Sequence, residues 1–105
     1  MLDTTVLITA ADRFADRLRA APQSRLQRGA AAEALATARE LAVRAQRIEA
    51  PDREPRLIPD AGIFAVGDQL AVAVRDLAVA LETAPPVELD EAVRLVEEAA
   101  ARAFA

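Results

Sequence analysis

The sequence predicts an all-α protein, an antiparallel four-helix bundle expected to associate as a homodimer. Three observations lead there. Apolar residues recur at spacings of three and four in four separate segments. Prolines and candidate capping residues punctuate the chain between those segments. One segment, Gly62 to Glu82, is apolar round most of its circumference, which suits either a central helix covered within its own monomer or one shared with a second chain, and the pattern favours a partner. At 105 residues the chain is read as one domain, 1–105, with an ordered Pro-rich connection at about 50–60.

The first helix is expected from about Thr4 to Ala20. Asp3 or Thr4 can cap it by accepting backbone N–H bonds that have no partner inside the helix. Leu7, Ala11, Phe14, Leu18 and Ala21 form one face, and Asp12, Arg13, Asp16 and Arg17 the opposite one. The run Thr4 to Ile8 is β-prone, so the first turns could be extended instead.

Pro22 ends this helix or opens the next. The second is expected from about Arg25 to Glu49, with Ser24 as its cap. Its inner stripe is mostly Ala: Ala31, Ala34, Ala38, Leu41, Ala45 and Ile48. Glu33, Arg39, Glu40, Arg44 and Arg47 are placed towards water, with Glu40 and Arg44 in the favourable i, i+4 order. Gly29 is costly in a helix interior, so the regular helix is expected to start just after it.

The stretch from Ala50 to Asp60 has three Pro in nine residues, which favours an extended path. Leu57 and Ile58 inside it predict a connection that lies back on the bundle and crosses one of its ends. The third helix is expected from about Ala61 to Ala84, capped by Asp60 and stopped by Pro85–Pro86. The fourth is expected from about Val87 or Asp90 to Phe104. Leu89, Val93, Val96, Ala100 and Ala103 point inward, and Glu98 is placed to pair with Arg102.

On a heptad wheel the third helix shows one seam of Ile63, Val66, Leu70, Val74, Leu77 and Leu81. Ala65, Val72 and Val79 form a second line at spacing seven. Gly67, Ala71 and Ala78 form a third line of small residues, expected to meet the Ala stripe of the second helix. A helix at the surface of a monomer needs a single apolar stripe. Ala65, Val72 and Val79 are therefore the candidate self-association residues, and a two-fold dimer is the expected assembly.

The composition removes most chemistry. There are 27 Ala and no Lys, His, Cys, Asn, Trp or Tyr, and all 13 basic residues are Arg. That usage points to a GC-rich bacterial genome. Zinc, copper and haem sites of the usual kind need His or Cys, as do Ser–His and Cys–His nucleophiles. The single Ser is Ser24. Glu88, Asp90 and Glu91 read as a solvated helix start, and GIFAVGD lacks the Lys of a phosphate loop. No catalytic residue, no metal ligand and no cofactor is expected.

Two further sites are weighed. An apolar ligand pocket could lie near Phe64 and Gly67, closed by Leu57 and Ile58, and would make the bundle a ligand-binding protein or enzyme. Arg13, Arg17, Arg19, Arg25 and Arg28 bracket the Pro22 turn and could receive an anion or an acidic protein partner. Nucleic acid fits poorly, because the pI is about 4.8 and no aromatics interleave with the Arg residues. The net charge of −4 is uneven: residues 1–59 sum to +2 and residues 60–105 to −6, so the halves attract.

The start lacks the basic region of a signal peptide. The apolar Gly62–Glu82 stretch carries Asp68, Arg75 and Asp76, which are costly in lipid. A cytoplasmic protein without a membrane segment is expected. The functional reading is a non-enzymatic interaction or assembly protein that self-associates through the third helix. The alternatives are the ligand-binding bundle and an accessory regulator acting through the Arg-rich corner.

Overall fold

The computed structural model describes residues 2–105, and every regular element among them is helical. Helix α1 spans Thr5–Ala20. The Asp3 carboxylate accepts the Thr5 N–H at 2.9 Å, which satisfies one of the orphan donors of a helix start. Hydrogen bonding from the Thr5 side chain, and then from its backbone N–H, holds the Asp3 carboxyl below its ordinary pKa. The β-prone run is helical from Thr5 onward. Helical spacing brings Leu7, Ala11, Phe14 and Leu18 into the core together, and that burial outweighs local preference.

Two short helical turns, Gln23–Arg25 and Leu26–Ala30, lead into α2, Ala31–Glu49. Ser24 lies within the first turn, and no side chain caps that start, so the expected Ser24 cap is not made. Gly29 has φ 148° and ψ −19°. A side chain resists that backbone conformation, and Gly tolerates it. The break therefore falls at Gly29, and the regular helix begins two residues later.

Helix α3 spans Val66–Ala80 and tightens into a last turn, Leu81–Thr83. The expected start near Ala61 is corrected by five residues. Asp60 does not cap the helix; its carboxylate accepts the Gly62 N–H at 2.9 Å in a local turn. Gly62 itself has φ 96°, which a helix cannot contain. Helix α4 spans Pro86–Ala103, with Pro86 in the first turn, where a missing N–H costs nothing.

The four helices form a ring. α3 packs on both α1 and α2, and α4 packs on both α1 and α2. Arg19 pairs with Asp68, and Arg75 with Asp12; residues ascending α1 meet residues descending α3. Arg44 pairs with Glu91, and Arg102 with Glu33, so α2 and α4 also run in opposite senses. α2 and α3 do not.

The Pro-rich segment is what places α2 and α3 side by side in the same sense. It runs back along α2 instead of crossing the bundle end. Arg56 is held by Gln46, and the Ile58 carbonyl accepts from Arg39. Asp60 and Ile63 then meet Ala31 and Leu35 near the start of α2. A helix of 19 residues is about 28 Å long at 1.5 Å per residue. An extended Pro-rich chain covers that in about nine residues. The sequence expectation of an entirely antiparallel bundle is corrected here, because a long return connection replaces a short hairpin.

Three expected core stripes are observed. Leu7, Ala11, Phe14 and Leu18 of α1, Ala34, Ala38, Leu41 and Ala45 of α2, and Leu70, Val74, Leu77 and Leu81 after Val66 are all buried. The α4 stripe is rotated from its expected position. Ala92, Val96, Ala99 and Ala103 are buried, whereas Leu89, Val93 and Ala100 sit on its margin. The small residues bring the axis of α4 close, and the longer ones flank it.

Space is free round Gly29, with nothing within 4 Å of where a Cβ would stand. Gly29→Ala therefore changes backbone energy alone. It is expected to destabilise the fold by about 1–3 kcal/mol, read as a lower urea midpoint with unchanged slope.

Candidate functional site

The outward face of α3 carries the strongest anomaly. Val72 and Val79 are 60% and 66% exposed, and Leu57 beside them is 66% exposed. Soluble proteins expose single apolar residues commonly, whereas these three are grouped. All three line one groove of about 610 Å³ between α2, α3 and the return segment. Ala42 and Ala45 form its α2 wall, and Ala73 its floor. Its rim carries Glu49, Arg56 and Asp76. Ala65 lies one heptad before Val72, is half-buried, and does not reach the groove.

The irregular wall of the groove is tied down by side-chain hydrogen bonds. The Gln46 side chain donates to the Arg56 carbonyl and accepts the Arg56 N–H, both at 2.8 Å. Arg39 Nε donates to the Ile58 carbonyl at 2.8 Å, and Gln69 donates to the Pro59 carbonyl at 2.9 Å. The segment has no sheet partner, so side chains satisfy backbone groups that would otherwise depend on water.

Phe64 and Gly67 themselves line none of the grooves described, although a groove of about 300 Å³ is lined by their neighbours Gly62, Ile63 and Val66 with Leu26 and Leu35. Phe64 is 72% exposed. Gly67 is buried on α1, where an added Cβ would stand 3.3 Å from the Ala15 carbonyl oxygen and 3.4 Å from Arg19 Cγ. The counterpart of Gly67 is thus α1, not the Ala stripe of α2. Leu57 and Ile58 close no pocket over these residues; they belong to the Val72 and Val79 groove.

The five Arg residues bracketing Pro22 are not brought together. Arg17 lies over the Phe104 ring at 4.0 Å, towards α4. Arg19 faces the other way and binds Asp16 and Asp68. The hydrogen bond from Arg19 to Asp68 raises the Arg19 pKa further above its ordinary value. Arg13 is exposed on α1. Arg25 and Arg28 line a separate groove of about 570 Å³ with Arg102 and Glu33. Sequence spacing missed Arg102 there, because only the α2–α4 contact puts it beside Glu33, at 3.1 Å. Glu98, its expected partner, lies 4.0 Å from Arg94 instead.

Arg75 is paired with Asp12 through two hydrogen bonds of 3.1 Å, which raise its pKa. Arg44 is drawn two ways: burial disfavours its charge, and hydrogen bonds with Glu40 and Glu91 outweigh that and raise its pKa. Asp90 is exposed and Glu91 is committed to Arg44. Among the described residues no group of three or more His, Cys, Asp or Glu side chains could hold a metal ion. No helix among them is long and apolar enough to cross a membrane.

Compared with known proteins, the chain matches no family model, no curated protein and no solved structure. Function is therefore argued from the residues themselves.

Because Val72 and Val79 contribute little to the core of their own chain, charging them should spare the fold. Val72→Glu with Val79→Glu is expected to keep the helical circular dichroism. Unfolding free energy at low micromolar protein should change by no more than about 1 kcal/mol.

Proposed function

We propose that this protein is a non-enzymatic interaction or assembly module of the bacterial cytoplasm, acting as a homodimer joined through the outer face of α3. The observation that carries this reading is the exposure of Val72 and Val79 on one face, continuous with Leu57 across one groove. The main seam of α3 is closed to water, since Leu70, Val74 and Leu77 are buried. A chain that hides those residues and leaves two valines seven apart in solvent has a face for a partner.

Magnitudes bound the strength of the contact. Burying the exposed part of each Val or Leu contributes about 1 kcal/mol. Six such side chains in a two-fold dimer contribute roughly 6 kcal/mol, near the lower end of the cost of association. These side chains alone do little more than offset that cost, so further contacts round the rim must supply the net affinity. The sequence has no His and no Cys, and the partly buried Arg44 is paired with Glu40 and Glu91.

Light scattering on a sizing column tests the reading. The wild type is expected to have twice the chain mass at about 100 micromolar, a concentration suited to a weak interface. The Val72→Glu and Val79→Glu double variant is expected to be monomeric there. A wild type that stays monomeric at that concentration rules the reading out.

A further inference from the structure

We infer that the second copy is selected by charge as well as by apolar area, through Arg56 of each chain meeting Asp76 of the other; this rests on the self-association reading above. The charges at the two seams within the chain are already committed. Asp12 and Asp68 hold Arg75 and Arg19 between α1 and α3. Glu91 and Glu33 hold Arg44 and Arg102 between α2 and α4. On the rim of the Val72 and Val79 groove the position is different. Arg56, Asp76 and Glu49 line that groove, are exposed, and take no ion-pair partner among the described residues.

Arg56 is also preorganised. Its backbone N–H and carbonyl are both clamped by the Gln46 side chain at 2.8 Å. The guanidinium therefore projects from a fixed point beside the valines, and less freedom is lost when it meets a carboxylate. Asp76 lies between Val72 and Val79 in sequence, so any partner covering both valines also covers it. A purely apolar partner would strand that carboxylate without water or a counter-charge, which is costly. A partner bearing Arg beside its own apolar patch removes the cost, and a second copy of this chain is such a partner. In a two-fold contact the same patch serves both sides. Two Arg56 and two Asp76 then oppose each other beside the valines, each Arg56 against the partner's Asp76, with the Glu49 carboxylates on the rim of the same groove.

Charge reversal and mixing test this. Arg56→Asp alone sets Asp against the partner's Asp76, and Asp76→Arg alone sets Arg against the partner's Arg56. Each single variant is expected to dimerise at least tenfold more weakly than wild type by sedimentation equilibrium, as for like charges forced together. An equimolar mixture of the two restores opposite charges at every position. It is expected to form a heterodimer within about threefold of the wild-type affinity, which also demonstrates that both variants are folded. If both single variants dimerise like wild type, or the mixture stays monomeric, the charge pairing is overturned. The self-association reading survives that result when wild type is dimeric and Val72→Glu with Val79→Glu is monomeric. A monomeric wild type overturns both and leaves the face to a different protein.

Discussion

The structure depends on the geometry of helix α3, which is apolar on more sides than it has neighbours. A helix in a ring of four touches two others and leaves its remaining circumference to solvent. α1 and α2 cover Val66, Leu70, Val74 and Leu77 completely. The return segment adds a third, thin neighbour by setting Ile58 against the core. Val72 and Val79 lie just beyond that cover. The groove, its exposed valines and the reading of a second copy all follow from this mismatch.

Electrostatics supports the ring without holding it up. The charges that bridge α1 to α3 and α2 to α4 are largely exposed, and exposed pairs contribute little to stability. Their value is orientation. Each bridge joins a residue from the first 59 to one from the last 46, and a sliding or inverted helix would set like charges against each other. An aromatic pair adds a directional contact at one end. Phe14 and Phe104 meet edge to face at 6.2 Å, with Arg17 over the latter ring, a geometry that favours the positive ring edge and the cation alike.

Much of this was legible in the sequence because burial imposes a period. Leu7, Ala11, Phe14 and Leu18 announce the inner face of α1, and the seam from Val66 to Leu81 announces that of α3. The outward line of Val72 and Val79 follows from the same wheel. What escaped is set by contacts distant along the chain. Gly67 meets α1 instead of α2, and the α4 stripe is rotated towards its alanines. Arg102 chooses Glu33 over Glu98, a choice invisible without the packing of α2 on α4. The late start of α3 comes from the Asp60 and Gly62 turn, whose residues also suit a cap. The five Arg residues near Pro22 are close in sequence, yet α1 sends Arg17 and Arg19 to opposite neighbours. Direction was missed for a related reason: nothing local in Ala50 to Ala65 says whether the chain crosses over or doubles back.

The doubling back has a consequence for motion. Residues 54–61 belong to no helix or strand, and such stretches ordinarily flicker open. Here amide and guanidinium side chains from α2 and α3 grip the peptide units of Arg56, Ile58 and Pro59. Any fluctuation that frees the stretch must first release α2 or α3 side chains, so its mobility is slaved to theirs. Solvent hydrogens should then replace the Arg56 amide at a pace closer to that of a helix interior than of a tether, and a protease should find little purchase among residues that look, by secondary structure alone, like its natural target.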